Sequence, residues 1–213
     1  ATPGSTISID DLLHGAIIDS ANDACIALAE GIAGTEAAFV ERMNRQAEVF
    51  GLQATRFRNP EGLSASGHRS TARELSLIAA RLVTDFPEVL KISSLQQATV
   101  AGVSQPSRNL LLMRDPTVDG LQTGYTEAAG YGMVATARRS LGGVERRLIA
   151  VTLGAASPVS HSGTSGIGLC RSSAIVPPRR SAARWPKTRP SSSEFDARRF
   201  APWRPVNAHS PIA

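Results

Sequence analysis

Two short stretches carry residue types whose spacing could do chemistry. The first is Ser20-Ala21-Asn22, which interrupts a helical pattern. A serine hydroxyl can relay a proton, and a carboxamide two residues away can both donate to and accept from a peptide group. The second is Gln122-Thr123-Gly124-Tyr125, inside the strand-like run TVDGLQTGYT of residues 117–126. Glycine weakens a strand interior and marks a bulge or a close approach of a ligand to the backbone. The N–H of Tyr125 could donate to a developing oxyanion, and Thr123 could hydrogen-bond a carboxylate. Each stretch alone also has a plain local reading. Ser20 and Asn22 suit ordinary helix capping, and a strand glycine can simply twist a sheet.

The elements that must position these residues follow from pattern. Leu12, Leu13, Ala16 and Ile17 give helical spacing over Asp10–Asp19, capped by Ser8 or Asp10. The period breaks at Ser20-Ala21-Asn22. Asp23 is then expected to cap a helix over Ala24–Glu30, ending near Gly31 and Gly34. Thr35 caps a third helix, with Phe39, Val40, Met43, Ala47 and Phe50 on one face and Gly51 as its stop. Residues 52–70 read as a loop turning at Asn59-Pro60-Glu61-Gly62. Thr71-Ala-Arg-Glu74 is a capping box that opens a helix through about Leu82, with Pro87 beyond it. Ala98–Val103, Thr117–Tyr125, Tyr131–Arg138 and Arg147–Leu153 read as strands, the last two joined across Gly142-Gly143. Helices first and antiparallel strands afterwards indicate an α+β domain.

Charge divides the chain. Residues 1–159 hold 14 Lys/Arg against 16 Asp/Glu, whereas residues 160–213 hold nine against two. The net +5 therefore belongs to the tail and is no sign that the main domain binds nucleic acid. The tail has 10 Ser, 7 Pro and paired arginines without apolar period. It reads equally as a disordered basic tail or as translation in the wrong frame. Cys25 and Cys170 have no disulfide or metal spacing, and Cys25 reads as a small core residue. No run is long and apolar enough to span a membrane, and no signal peptide is visible.

Taken together, a Ser-x-Asn on a helical lobe and an x-Thr-Gly on a strand about a hundred residues later follow the order of serine penicillin-recognising enzymes. The surrounding blocks agree. DLLHGAIIDSANDACIALAEGIAGTEAAFVERMN, ATRFRNPEGL, GHRSTARELSLIAARL, SRNLLL, VDGLQTGYTEAAGYGMVATA and RRLIAVTLGA resemble the D-alanyl-D-alanine carboxypeptidases, the low-molecular-mass penicillin-binding proteins, from about residue 5 to residue 155. The resemblance implies a β-lactamase/transpeptidase-like α+β fold, incomplete in this chain. It implies a domain over 1–156 followed by the tail 157–213. It also implies hydrolysis of peptidoglycan stem peptides ending in D-Ala-D-Ala, β-lactam binding in the full-length family, and no metal or organic cofactor. The location implied is the bacterial cell envelope, periplasmic or extracytoplasmic, with a role in cell wall and cell shape.

Carried over by residue, Ser20 matches the serine that helps move protons during acylation, and Asn22 the substrate-orienting asparagine. Thr123 and Gly124 match the strand along the substrate and its carboxylate. The N–H of Tyr125 matches half of the oxyanion hole. Arg108 is expected to support the strand or the carboxylate site. Two departures stand out. The family's nucleophile lies in Ser-x-x-Lys, but Lys91 and Lys187 are the only lysines, and Glu88 and Arg184 stand three residues before them. The expectation is that the chain begins after its own nucleophile. The family strand motif is Lys-Thr-Gly, and here Gln122 takes the lysine's place. That exchange costs about 1–3 kcal/mol of charge-assisted hydrogen bonding. Beside a carboxypeptidase fragment or decayed copy stand two further readings: a non-catalytic peptidoglycan- or partner-binding module, and an inactive fragment. A β-lactamase shares the motif order, but the blocks around Asn59 and Arg108 resemble the carboxypeptidases.

Overall fold

A computed structural model describes residues 6–100, 102–157 and the short strand at 174–175. Helix α1, Ile9–His14, is capped by Ser8, whose hydroxyl accepts from the Asp11 N–H. It runs directly into a π-helical turn, Gly15–Asp19, which ends at Ser20. The expected single helix over Asp10–Asp19 is thus two pieces, because the wider π-turn breaks the 3.6-residue register. Helix α2, Asn22–Ala33, starts earlier than expected. Its N-cap is Ala21, without a side-chain cap, and Asp23 lies inside the first turn. It also runs past Gly31 and ends at Gly34 in a positive-φ conformation. Helix α3, Glu36–Val49, is capped by Thr35 as expected.

Residues 52–70 form a loop stapled at two points. Asn44 is buried in α3, and its carboxamide receives the Phe57 N–H at 2.9 Å and donates to the Phe57 carbonyl at 3.0 Å. Glu74 receives the Ala54 N–H at 3.0 Å and the Thr55 hydroxyl. Helix α4, Ala72–Asp85, therefore has only half of the expected capping box. Thr71 accepts from the Glu74 N–H, while the Glu74 carboxylate turns to the loop instead of the cap. Those two donors hold its carboxyl below the usual range, the Thr55 hydroxyl most strongly.

Short helix α5, Val89–Ser93, leads into a hairpin of β1, Gln97–Val100, and β2, Val103–Pro106. The run expected as one strand over Ala98–Val103 turns back at Gly102, whose φ of +81° suits glycine. A 3-10 turn at Leu110–Met113 precedes the main sheet. That sheet contains β3, Val118–Thr126; β4, Gly130–Leu141; β5, Val144–Ala155; and the two-residue β6, Ala174–Ile175. The order is β3-β4-β5-β6 and the pairing is antiparallel. Gly142 and Gly143, at φ +61° and +76°, make the β4–β5 turn as expected. The rest of the tail lies outside the described residues, and with it the expectation of a disordered or out-of-frame segment.

The core sits between α4 and the sheet. Ala72, Ala79 and Val83 of α4 pack with Leu121, Ile149 and Val151, flanked by Leu75 and Leu82. These α4 positions recur at three and four residues, so one apolar stripe meets one sheet face. Arg81 ties this layer to α3, pairing with Asp85 at 2.8 Å and stacking over the Phe50 ring at 5.4 Å. Cys25 is half-buried and unbridged; burial raises its thiol pKa first, then the nearby Glu61 and Asp23. Among the described residues no helix is long and apolar enough to cross a membrane, and no group of three acidic, His or Cys side chains could hold a metal.

Candidate active site

The two stretches singled out in the sequence meet. The Gln122 side chain on β3 donates to the Ala16 carbonyl of the π-turn at 3.1 Å and lies 3.5 Å from the Ser20 hydroxyl. Ser20 has φ 55° and ψ 40°, the only positive φ at a non-glycine among the described residues. That conformation is unfavourable for a side-chain-bearing residue and persists only where its surroundings impose it. Here the π-turn imposes it, and Ser20 is left at the mouth between the helical lobe and the sheet. Asn22 follows as the exposed first residue of α2.

Arg108 joins the same turn. Its Nε donates to the Asp19 carbonyl at 2.9 Å, and its guanidinium lies 3.3 Å from the Asp19 carboxylate. These bonds tie Arg108 to the residue before Ser20. Sequence reasoning had no signal for Asp19, which lies 89 positions from its partner.

Strand β3 is an edge: it pairs with β4 and with no other described strand. An edge offers unpaired backbone groups to an extended peptide. Its two glycines do different work. A Cβ on Gly120 would collide with the Ser93 hydroxyl and meet the Thr136 methyl at 3.3 Å, so Gly120 is a packing glycine and not a ligand contact. Around Gly124 a Cβ would meet nothing within 4 Å, and its partner across the ladder is Gly132. At that point along β3 neither facing residue carries a side chain. Thr123 beside it is half-buried, and neither its side chain nor that of Asn22 makes a hydrogen bond to another described residue.

Residues that the sequence reading did not single out lock the start of β3. Ser93 donates to the Asp119 carbonyl at 2.8 Å, and buried Asn109 donates to the Gly120 carbonyl at 3.3 Å. Arg147 on β5 holds the Asp119 carboxylate through two bonds of 2.8 and 2.9 Å and also donates to Thr136 at 2.6 Å. This fork fixes where Gln122 and Gly124 fall along the cleft.

The chemistry open to this arrangement follows from donors and acceptors. Gln122 can donate two hydrogens and carries no titratable proton, so it can orient the Ser20 hydroxyl but cannot take its proton. Ser20 can donate into the cleft. Asn22 can both donate and accept.

The family model for D-alanyl-D-alanine carboxypeptidase, peptidase S11, matches residues 1–157. The chain belongs to this family. D-alanyl-D-alanine carboxypeptidase DacC of Escherichia coli K12 is 44% identical over 154 residues, which cover 72% of this chain and 38% of that protein. Penicillin-binding protein 5 of Haemophilus influenzae has a solved structure that matches with a TM-score of 0.69 at 38% identity, over 76% of this chain and 48% of the other. Penicillin-binding protein D2 of Listeria monocytogenes, solved in its cefotaxime-bound form, matches with a TM-score of 0.63 at 36% identity, over 70% and 60%. The chain thus spans less than half the length of the DacC relative. The expected fold stands: helices followed by an antiparallel sheet, as in the penicillin-binding carboxypeptidases.

Proposed function

We propose that this chain forms the substrate-aligning half of a serine D-Ala-D-Ala carboxypeptidase cleft of the bacterial cell envelope. The observation that carries this reading is the junction of Gln122 with Ala16 and Ser20, two positions along β3 from the open strip at Gly124. An acyl-D-Ala-D-Ala peptide lies antiparallel along β3. Thr123 takes its terminal carboxylate, Asn22 engages the penultimate amide, and the Tyr125 N–H donates to the carbonyl oxygen as charge develops on it. Once an acyl-accepting hydroxyl is supplied, Ser20 hands a proton to the leaving D-alanine nitrogen and regains one from that hydroxyl, while Arg108 keeps Ser20 in place through Asp19. The acyl-accepting hydroxyl belongs to a Ser-x-x-Lys pair, which this sequence does not contain. This chain alone therefore binds the peptide and does not become acylated.

The same absence, together with Gln122, favours a second reading for the chain as it stands, a binding module for peptidoglycan stems. Intact-mass spectrometry after incubation with a penicillin, run beside a D-alanine release assay, separates these readings from catalysis. Unchanged mass and no released D-alanine are expected. A mass increase of one acyl group would show an activated serine within the chain and refute this reading.

A further inference from the structure

The chain has two tyrosines in all, and they touch. Tyr125 on β3 and Tyr131 on β4 are register partners, with ring centroids 4.4 Å apart and planes tilted by 36°. Tyr131 is half-buried, while Tyr125 is 57% exposed. An aromatic ring left that open and yet held by a stacked neighbour is a preorganised surface, with little side-chain freedom to lose when something covers it.

Its position decides what would cover it. The facing glycines Gly124 and Gly132 leave the strand bare just before the pair. Tyr125 is therefore the first side chain that a peptide on β3 meets after crossing the glycine strip. Beyond it the turn is built of Thr126, Glu127, Ala128 and Ala129, closed by the Ala129 N–H bonding to Thr126, with no bulky residue near in sequence to cover the ring. Between Arg114 and Arg138 there is no lysine or arginine, so this stretch of chain supplies no cation for a carboxylate or phosphate.

We infer that Tyr125, backed by Tyr131, is a specificity surface that reads the side chain of the residue preceding the D-Ala-D-Ala and favours a long, unbranched apolar chain there. The inference rests on the peptide lying along β3 as proposed above. With the terminal carboxylate at Thr123 and the scissile carbonyl at the Tyr125 N–H, the next residue of an extended peptide lies about 3.4 Å further on, beside the ring. Linear methylenes lie flat on such a ring, whereas a glycine at that position leaves it wet.

The two-tyrosine composition gives a direct test. In the full chain labelled with 13C at the tyrosine ring ε positions, the only labelled side chains are this pair. It is titrated with Nα-acetyl-norleucyl-D-Ala-D-Ala and with Nα-acetyl-glycyl-D-Ala-D-Ala. The norleucyl peptide is expected to bind about fivefold more tightly and to shift one tyrosine signal far more than the glycyl peptide does. Tyr125→Ala should erase the preference while still binding the glycyl peptide, because the backbone N–H remains. Tyr125→Phe should keep it. Equal affinity of the two peptides, or a preference that survives Tyr125→Ala, would overturn the inference and leave the cleft reading intact. If neither peptide binds, the cleft reading fails and this inference falls with it.

Discussion

The carboxamide of Gln122 bridges 106 positions of chain to the Ala16 carbonyl and comes within 3.5 Å of the Ser20 hydroxyl. That bridge holds the helical lobe against the sheet without placing a charge in the cleft. Gln122→Lys restores an ammonium there. Binding of a peptide that ends in a free carboxylate should then tighten by about tenfold, equal to about 1.4 kcal/mol, while the same peptide as a C-terminal amide should change little. Calorimetric titration of the acid and amide forms measures this. The gain should shrink as salt is added if the new lysine remains solvated.

The two glycines of β3 should respond differently to one methyl group. Gly120→Ala drives a Cβ into Ser93 and Thr136 at a φ of +157°, and should cost about 2–3 kcal/mol in urea unfolding. Gly124→Ala meets open space and should leave stability within about 0.5 kcal/mol. The second variant should nonetheless weaken peptide binding, because the methyl occupies the strip along which the peptide is proposed to lie.

Arg147 and Asp119 are about 13% and 25% exposed, and each would be left without its main partner if the other were removed. Asp119→Ala should destabilise the chain by about 2–4 kcal/mol, less than a fully buried pair would lose because water still reaches the site. Replacing both residues together should cost less than the sum of the single changes. A double-mutant cycle in urea measures the difference.

Acid should unfold the chain for identifiable reasons. The Thr55 hydroxyl and Ala54 N–H depress the Glu74 carboxyl, and Thr117 and then Arg139 depress that of Asp115. A depressed carboxylate contributes stability that is complete above its ordinary pKa and is lost as pH falls through the lower folded-state value. The melting temperature should therefore fall from about pH 5 down to pH 3, and Glu74→Gln or Asp115→Asn should flatten that fall. Glu61 has the opposite sign. Burial raises its carboxyl and one of its oxygens lacks a hydrogen-bond partner, so its ionisation above the ordinary range opposes folding. Glu61→Gln should raise the melting temperature at pH 7 and leave it nearly unchanged at pH 4.

Much of this was legible because the signals were local. Thr35 and Thr71 announce their helices through hydroxyls that accept an N–H three residues on. Gly142-Gly143 announces its turn through positive φ. The Ser20 break was legible as a break, but its cause was not. A five-residue π-turn does not differ from an α-helix in apolar spacing over so short a run. What stayed hidden was contact at long range. Ser93 on the Asp119 carbonyl, Arg147 on the Asp119 carboxylate and Arg108 on Asp19 link positions 26 to 89 apart, and nothing beside either partner in sequence marks the pairing. Gly120 shows the consequence. Sequence alone offered bulge or ligand contact, and packing against α5 supplied a third cause.

The most direct test is a 1H–15N correlation spectrum of the chain titrated with Nα-acetyl-L-Ala-D-Ala-D-Ala. The account predicts shifts concentrated at Ser20, Asn22, Thr123, Gly124 and Tyr125, and none there with the all-L peptide. No shift at Gly124 and Tyr125, or equal shifts with both peptides, would contradict the claim that this cleft aligns a D-Ala-D-Ala terminus.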